Sequence, residues 1–219
     1  MSGRSEAGRV VRWQERAVGR SLEGAAARSR DRAGRFVAAA RELVAESGDL
    51  DFAVQDVVRR AGLSLRAFYQ HFDGKDDLVV ALYEEVVHAA AERARRQVEK
   101  QADPLERLRL LVFRLHGERG AFPASMASEM QQLARARPEE VRAALEPLVA
   151  LFAETVAAAQ RSGGVRDGDP REHALHLVLL LLTHVQARGQ GMFGGIWPVL
   201  TREQVWEYCE RSLRSDPRS

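Results

Sequence analysis

The stretch from Phe52 to Leu82, FAVQDVVRRAGLSLRAFYQHFDGKDDLVVAL, constrains the fold more than any other part of the 219 residues. Val54, Val57, Val58 and Ala61 fall at i, i+3, i+4 and i+7, one apolar stripe of an α-helix. Asp51 stands where an N-cap is expected, and Gly62 where a helix ends in the left-handed conformation. Ser64 suits the cap of a second short helix, on which Phe68 and Phe72 share a face at i, i+4. With those rings turned inward, Arg66, Tyr69, Gln70 and His71 are left for the outer surface. Two short helices on a tight glycine turn, the second presenting hydrogen-bonding side chains, match a helix-turn-helix. The same periodicity also suits an ordinary helical hairpin with a solvated polar face.

Around this unit the composition is that of a globular protein, 45% hydrophobic and 29% charged. The apolar run from Ala174 to Val185 holds two histidines and is shorter than the roughly 20 residues that cross a bilayer. The arginine-rich N-terminus has no apolar core of a cleavable signal. The single cysteine, Cys209, forbids an intrachain disulfide and suggests a reducing compartment. No membrane association and a cytoplasmic location are therefore expected.

The net charge of +2 is unevenly spread. Residues 1–35 carry nine arginines against four acids, leaving 24 basic and 27 acidic residues for the rest of the chain. A basic segment ahead of a helix-turn-helix suits a polyanion, because each phosphate contact releases condensed counterions. A solubilising tail would have the same composition.

Everything periodic is helical. Residues 1–27 read as a basic, loosely structured arm, with a helical stretch around Trp13 as the alternative. Residues 28–74 form the helix-turn-helix domain, opened by a helix with Phe36, Ala40, Leu43 and Val44 on one face. A fourth helix, capped by Asp73 and reaching Gln101, links onward over 75–103. Pro104 marks the boundary to a C-terminal domain, 104–219. There, Pro138 and Pro170 suit first helical positions, Pro147 a kink, and Thr201 a last N-cap. No run alternates between turn signals as a strand would, so an all-α fold of about nine helices is expected.

AGLSLRAFYQHFDGKDDL resembles the signature of the TetR family of transcriptional regulators, through Ala61, Gly62, Leu63, Ser64, Phe68, Tyr69, His71, Phe72, Lys75 and Leu78. The specific motif covers about residues 35–83, while the helical layout resembles the family over nearly the whole chain. The resemblance implies a three-helix DNA-binding domain, a linking fourth helix, and a larger ligand-binding and dimerisation domain. It places Ser64, Leu65, Arg66, Ala67, Tyr69, Gln70, His71 and Lys75 at double-stranded DNA. Tyr69 and His71 would meet phosphates, and Lys75 would do so beside the positive end of the fourth helix. Arg66 and Gln70 have the chemistry to read guanine and adenine edges. Leu65 also lies at i, i+3, i+7 with Phe68 and Phe72 and could instead pack inward. Arg66 stands where the family usually has a small residue, and Ala53 where it usually has a capping Thr.

The run Ala174 to Val185 is apolar nearly all round and needs cover on every side. A second copy would cover it, giving a homodimer through helices near 171–188 and 201–213, although complete burial within one chain would also serve. Phe113, His116, Met126, Met130, Phe152 and His184 could line an adaptable apolar pocket for a small effector, or simply form core. His173, His176 and His184 lack the close acidic or cysteine company of a structural zinc site, so no metal and no cofactor are expected. No phosphate loop, nucleophile elbow or HExxH points to an enzyme. The expectation is a ligand-responsive repressor on a pseudo-palindromic operator. The alternatives are a helical interaction protein that keeps the fold without binding DNA, and an all-α enzyme using a C-terminal cavity.

Overall fold

Three phenylalanines assemble the N-terminal head. Phe36 meets Phe68 edge-on with ring centroids 5.4 Å apart and Phe72 at 6.2 Å, while Phe68 and Phe72 lie 5.4 Å apart. A computed structural model of the chain describes residues 11–117, 124–189 and 200–214, and every regular element among them is an α-helix. The head comprises α1 (Val11–Ser47), α2 (Val54–Ala61) and α3 (Leu65–Phe68). The long α4 (Lys75–Val98) leads to α5 (Pro104–Gly117), α6 (Ala124–Ala136), α7 (Pro138–Arg161), α8 (Pro170–Gly189) and α9 (Arg202–Leu213). The described elements thus number nine, in the expected all-α arrangement.

Several local details depart from expectation. The arm expected to be loose over 1–27 is helical from Val11, continuous with the core-facing part of α1. Ala53, not Asp51, is the N-cap of α2, and the Asp56 carboxylate three residues on accepts the Ala53 N–H at 3.2 Å. That return bond satisfies the Ala53 N–H, the half of a capping box that needs no side-chain acceptor at position 53. Gly62 does adopt the left-handed conformation (φ 63°, ψ 35°), which admits glycine without strain. Ser64 caps α3 by accepting the Ala67 N–H at 3.1 Å. The fourth helix starts at Lys75 as expected, but its N-cap is Gly74 rather than Asp73, whose N–H donates to the Asp77 carboxylate at 3.1 Å, and it ends at Val98 rather than Gln101.

The C-terminal helices pack on α4 chiefly through α7. Arg95 donates to Glu154 at 2.6 Å near one end of this seam, and Arg137 to Asp77 at 3.3 Å near the other. Asp77 to Arg95 spans 18 residues and Arg137 to Glu154 spans 17, so the two helices run parallel and in step. Leu78, Leu82 and Val87 of α4, Leu108 and Leu111 of α5, and Leu148 and Phe152 of α7 are buried in one continuous core. The core therefore joins the head to the domain behind it through α4.

Candidate nucleic-acid interface

The buried wedge of Phe68 and Phe72 decides what α3 and its C-terminal turn present outward. Phe68 is fully buried, and Tyr69 stacks edge-on against it at 5.4 Å while remaining 56% exposed. The phenol is thus held by its ring and free at its hydroxyl, which suits a phosphate contact. Arg66 and Gln70 are exposed, and Arg66 has no ion-pair partner among the described residues. A free guanidinium and a free amide on one short element are the groups that read base edges. Leu65 is 41% exposed, so it turns outward with them. Ser64 is also on this surface, but its hydroxyl is engaged in the cap.

Three expected contacts are more constrained. Ala67 is half-buried and packs against the core. His71 is half-buried with its ring 6.4 Å from that of Phe36, and its Nε2 is enclosed without a hydrogen-bond partner. A phosphate reaches that nitrogen only if the ring turns. Lys75 sits with its ammonium 5.0 Å over the Phe52 ring, a cation–π contact that fixes the side chain beside the start of α4. Asp76 and Asp77 in the first turn complement the helix dipole but also lower the local positive potential.

Sequence reasoning missed two supports. Arg35 donates to the Ala61 carbonyl at 2.5 Å, closing the C-terminus of α2 where the glycine turn begins. Arg60 grips Glu46 through two bonds of 2.7 and 2.8 Å and so fixes α2 to the end of α1. Neither has a local signature, because each partner lies more than a dozen residues away. Asp77 was findable: a carboxylate four residues after Asp73 can accept its N–H.

Among the described residues, the expected effector residues stand in different settings. Phe113 is held between the guanidinium groups of Arg109 and Arg202, each 4.9 Å from its ring, at the α5–α9 contact. Phe152 and Met130 are core, and His116 is buried with its ring 6.2 Å from that of His184. His184 engages the Leu180 carbonyl through Nδ1 at 2.9 Å. The Met126 side chain lies outside the described residues. Beside Phe152, Ala90, Ala94, Leu111, Leu115 and Leu148 enclose a void of only about 10 Å³. On the outer side, α8 and α9 flank a groove of about 290 Å³ that includes His173, His176, Leu177, Leu180, Tyr208 and Cys209. Leu175 and Leu179, at 45% and 49% exposed, and Tyr208, at 66%, stand on these two helices. No group of three or more metal-ligating side chains occurs among the described residues, and none of their helices is long and apolar enough to cross a membrane.

Comparison with known proteins agrees with this geometry. Residues 36–82 match the family described as bacterial regulatory proteins, tetR family. The fatty acid metabolism regulator protein of Bacillus subtilis is 27% identical over 77 residues, 35% of this chain and 40% of that relative. The fold matches that of the fatty acid degradation regulator FadR of Bacillus halodurans, with a TM-score of 0.64 and 20% identity over 83% of this chain and 99% of that one. FadR of Bacillus subtilis, solved in complex with stearoyl-CoA, gives a TM-score of 0.64 and 19% identity over 82% and 98% of the two chains. With its helix-turn-helix over the matched residues 36–82 and its nine described helices, the chain carries the DNA-binding domain of the bacterial regulatory proteins, tetR family, on an all-α fold shared with FadR.

Proposed function

We propose that the protein is a cytoplasmic homodimeric repressor that occupies a pseudo-palindromic operator and releases it when a small apolar effector binds the C-terminal domain. The observation that carries this reading is the outward display of Leu65, Arg66, Tyr69 and Gln70 on a wedge of buried phenylalanine. Arg66 and Gln70 read base edges, Leu65 meets a thymine methyl, and Tyr69 and Lys75 fix the register on phosphates. Two heads related by a twofold axis would address half-sites in successive turns of the duplex. Exposed Leu175 and Leu179 on α8, with Tyr208 on α9, supply the isologous apolar face for that pairing.

The effector part of the mechanism follows from the packing. The 10 Å³ void beside Phe152 is far below the several hundred Å³ of a preformed ligand site. An apolar ligand entering there must part α4, α5 and α7. Binding and displacement of α4 are then one event, and the ligand acts through its unequal affinity for the packed and parted arrangements. Because α4 begins at Lys75, that displacement moves the DNA-reading head. The stearoyl-CoA held by the Bacillus subtilis relative makes a long-chain acyl thioester the first compound to test.

Selection of duplexes from sheared genomic DNA by the purified full-length protein tests the reading. Enrichment of fragments sharing an inverted repeat supports it, and recovery without any common sequence contradicts it. Added stearoyl-CoA should lower retention of the enriched duplex if the acyl assignment holds.

A further inference from the structure

From Gly19 to Arg32, α1 is a helix without a core. Among the described side chains of α1, which begin at Gly19, the first that packs against the hydrophobic core is Ala33, and from Arg20 to Arg32 every residue except Gly24 is exposed. From Gly19 to Arg32 the one large apolar side chain is Leu22, 64% exposed. An isolated helix of this length is marginal in water, and one that is polar on all sides needs a partner outside its own domain. Between Gly19 and Arg32 a single leucine does not make the repeated apolar seam through which two such helices would pair.

The direction of the extension is fixed by three contacts. At Phe36, α1 lies against Phe68 and Phe72, and at Arg35 it reaches the end of α2 at Ala61. Five residues after Phe36, Arg41 pairs with Glu85, ten residues into α4. Thus α1 and α4 run in the same sense from the Phe36–Phe72 contact, with the end of α2 alongside residues 35–46, and the part of α1 before Arg35 extends beyond the residues that meet α2 and α3. Residues 11–32 at 1.5 Å each span about 33 Å, close to one turn of duplex DNA at about 34 Å.

The extension carries a net positive charge. It carries six arginines and three acids, and Arg20, Arg28, Arg30 and Arg32 have no acidic partner among the described residues. Several arginines elsewhere are tied down, such as Arg60 to Glu46, Arg95 to Glu154 and Arg171 to Glu146, whereas Arg66 on the proposed reading surface is unpaired among the described residues, like those of the extension. Arg30 reaches only the Ala26 carbonyl, at 3.4 Å.

We infer that residues 11–32 are a helical clamp for duplex DNA, running along the phosphates beyond the half-site under α3. The inference rests on the DNA-binding reading of α3 and adds to it a second, sequence-independent contact. Its occupant is a polyanion of regular spacing, because unpaired guanidinium groups along a rigid rod match phosphates along a duplex.

The test is a quadruple variant of the full chain, Arg20→Ala, Arg28→Ala, Arg30→Ala and Arg32→Ala, in which alanine keeps the helix propensity high. Binding to random-sequence duplexes of 14 and 40 base pairs is followed across a salt series. On the longer duplex the variant should lose tenfold or more in affinity, and its salt slope should become shallower by about 0.9 for each phosphate contact removed. On the 14-base-pair duplex, too short to reach under the extension, the difference should shrink. Equal slopes and affinities for the two proteins on the 40-base-pair duplex overturn the clamp while leaving α3 as the DNA reader. A variant that turns monomeric in light scattering overturns it too, since the helix then serves assembly. Failure of the wild-type protein to bind either duplex removes the DNA reading itself.

Discussion

Arg137 donates to the Asp77 carboxylate at 3.3 Å, joining the residue that precedes α7 to the first turn of α4. The same Asp77 accepts the Asp73 N–H at 3.1 Å, so one carboxylate holds the start of α4 and the domain behind it. The Arg137 guanidinium is shared with Glu140 at 3.1 Å. Glu84, farther along the seam, has its carboxyl pushed above the usual range by burial and by the charges of Glu140 and Asp77.

The first prediction follows from this bridge. Side chains about 27% and 30% exposed are neither fully screened nor desolvated, and a coupling of about 0.5–1 kcal/mol is expected. A double-mutant cycle of Arg137→Ala and Asp77→Asn, read by urea unfolding, should return that value. Asp77→Asn keeps an acceptor for Asp73, so it should disturb the start of α4 less than Asp77→Ala. Additive single effects would show that the bridge carries no coupling.

The reading surface gives a second prediction. Arg66→Ala should cost about 1–3 kcal/mol on the preferred duplex and relax discrimination at one symmetric pair of base positions. Tyr69→Ala and Lys75→Ala should weaken preferred and random duplexes alike, and the Lys75 change should lower the salt slope by about one. Phe68→Ala is the contrasting control: it empties the aromatic wedge and should cost about 3–5 kcal/mol of stability. If Arg66→Ala leaves the ranking of operator variants intact, the residue does not read bases.

Much of this surface was legible in the sequence because it depends on local rules. The α2 stripe, the left-handed Gly62, the Ser64 cap and the inward Phe68 and Phe72 are decided within a few residues. The orientation of Leu65 was open from periodicity alone, and its 41% exposure resolves it. What escaped was set at long range. Arg35 at Ala61, Arg60 at Glu46 and Arg137 at Asp77 join segments with no mutual periodicity. Phe113 had the composition of a pocket residue, yet Arg202, 89 residues away, holds it at the α5–α9 contact. The helix from Val11 escaped because a polar, arginine-rich segment has no core-facing stripe to announce it.

A third prediction separates dimer from fold. Leu179 is 49% exposed and Leu181 fully buried, two residues apart on α8. Leu179→Glu should give a folded monomer, because its charge stays in water until a partner covers it. Leu181→Glu should unfold the chain or destabilise it by several kcal/mol, since a buried unpaired charge has no compensation. Light scattering and circular dichroism on the two variants read this directly. A dimeric Leu179→Glu protein would place the pairing face elsewhere.

The fourth concerns pH. Cys209 is fully buried, and burial pushes its thiol up to about 11. A group raised in the folded state favours folding fully below its unfolded value of about 8.5 and loses that contribution as pH rises through the folded value. The melting temperature should therefore fall between about pH 9 and 11, and Cys209→Ala should flatten that fall. Reaction with a thiol reagent at pH 8 should be slow in the native protein and fast in urea. Equal rates in both would mean the thiol is accessible.

The central claim is sequence-specific DNA binding through α3, and a competition measurement tests it most directly. The full-length protein is bound to its enriched duplex at physiological salt and displaced by random-sequence duplex of equal length. A specific regulator should prefer its own duplex by about a thousandfold or more. That preference should collapse in Arg66→Ala while the binding of random duplex barely changes. Equal competition by the two duplexes with the wild-type protein would contradict the account.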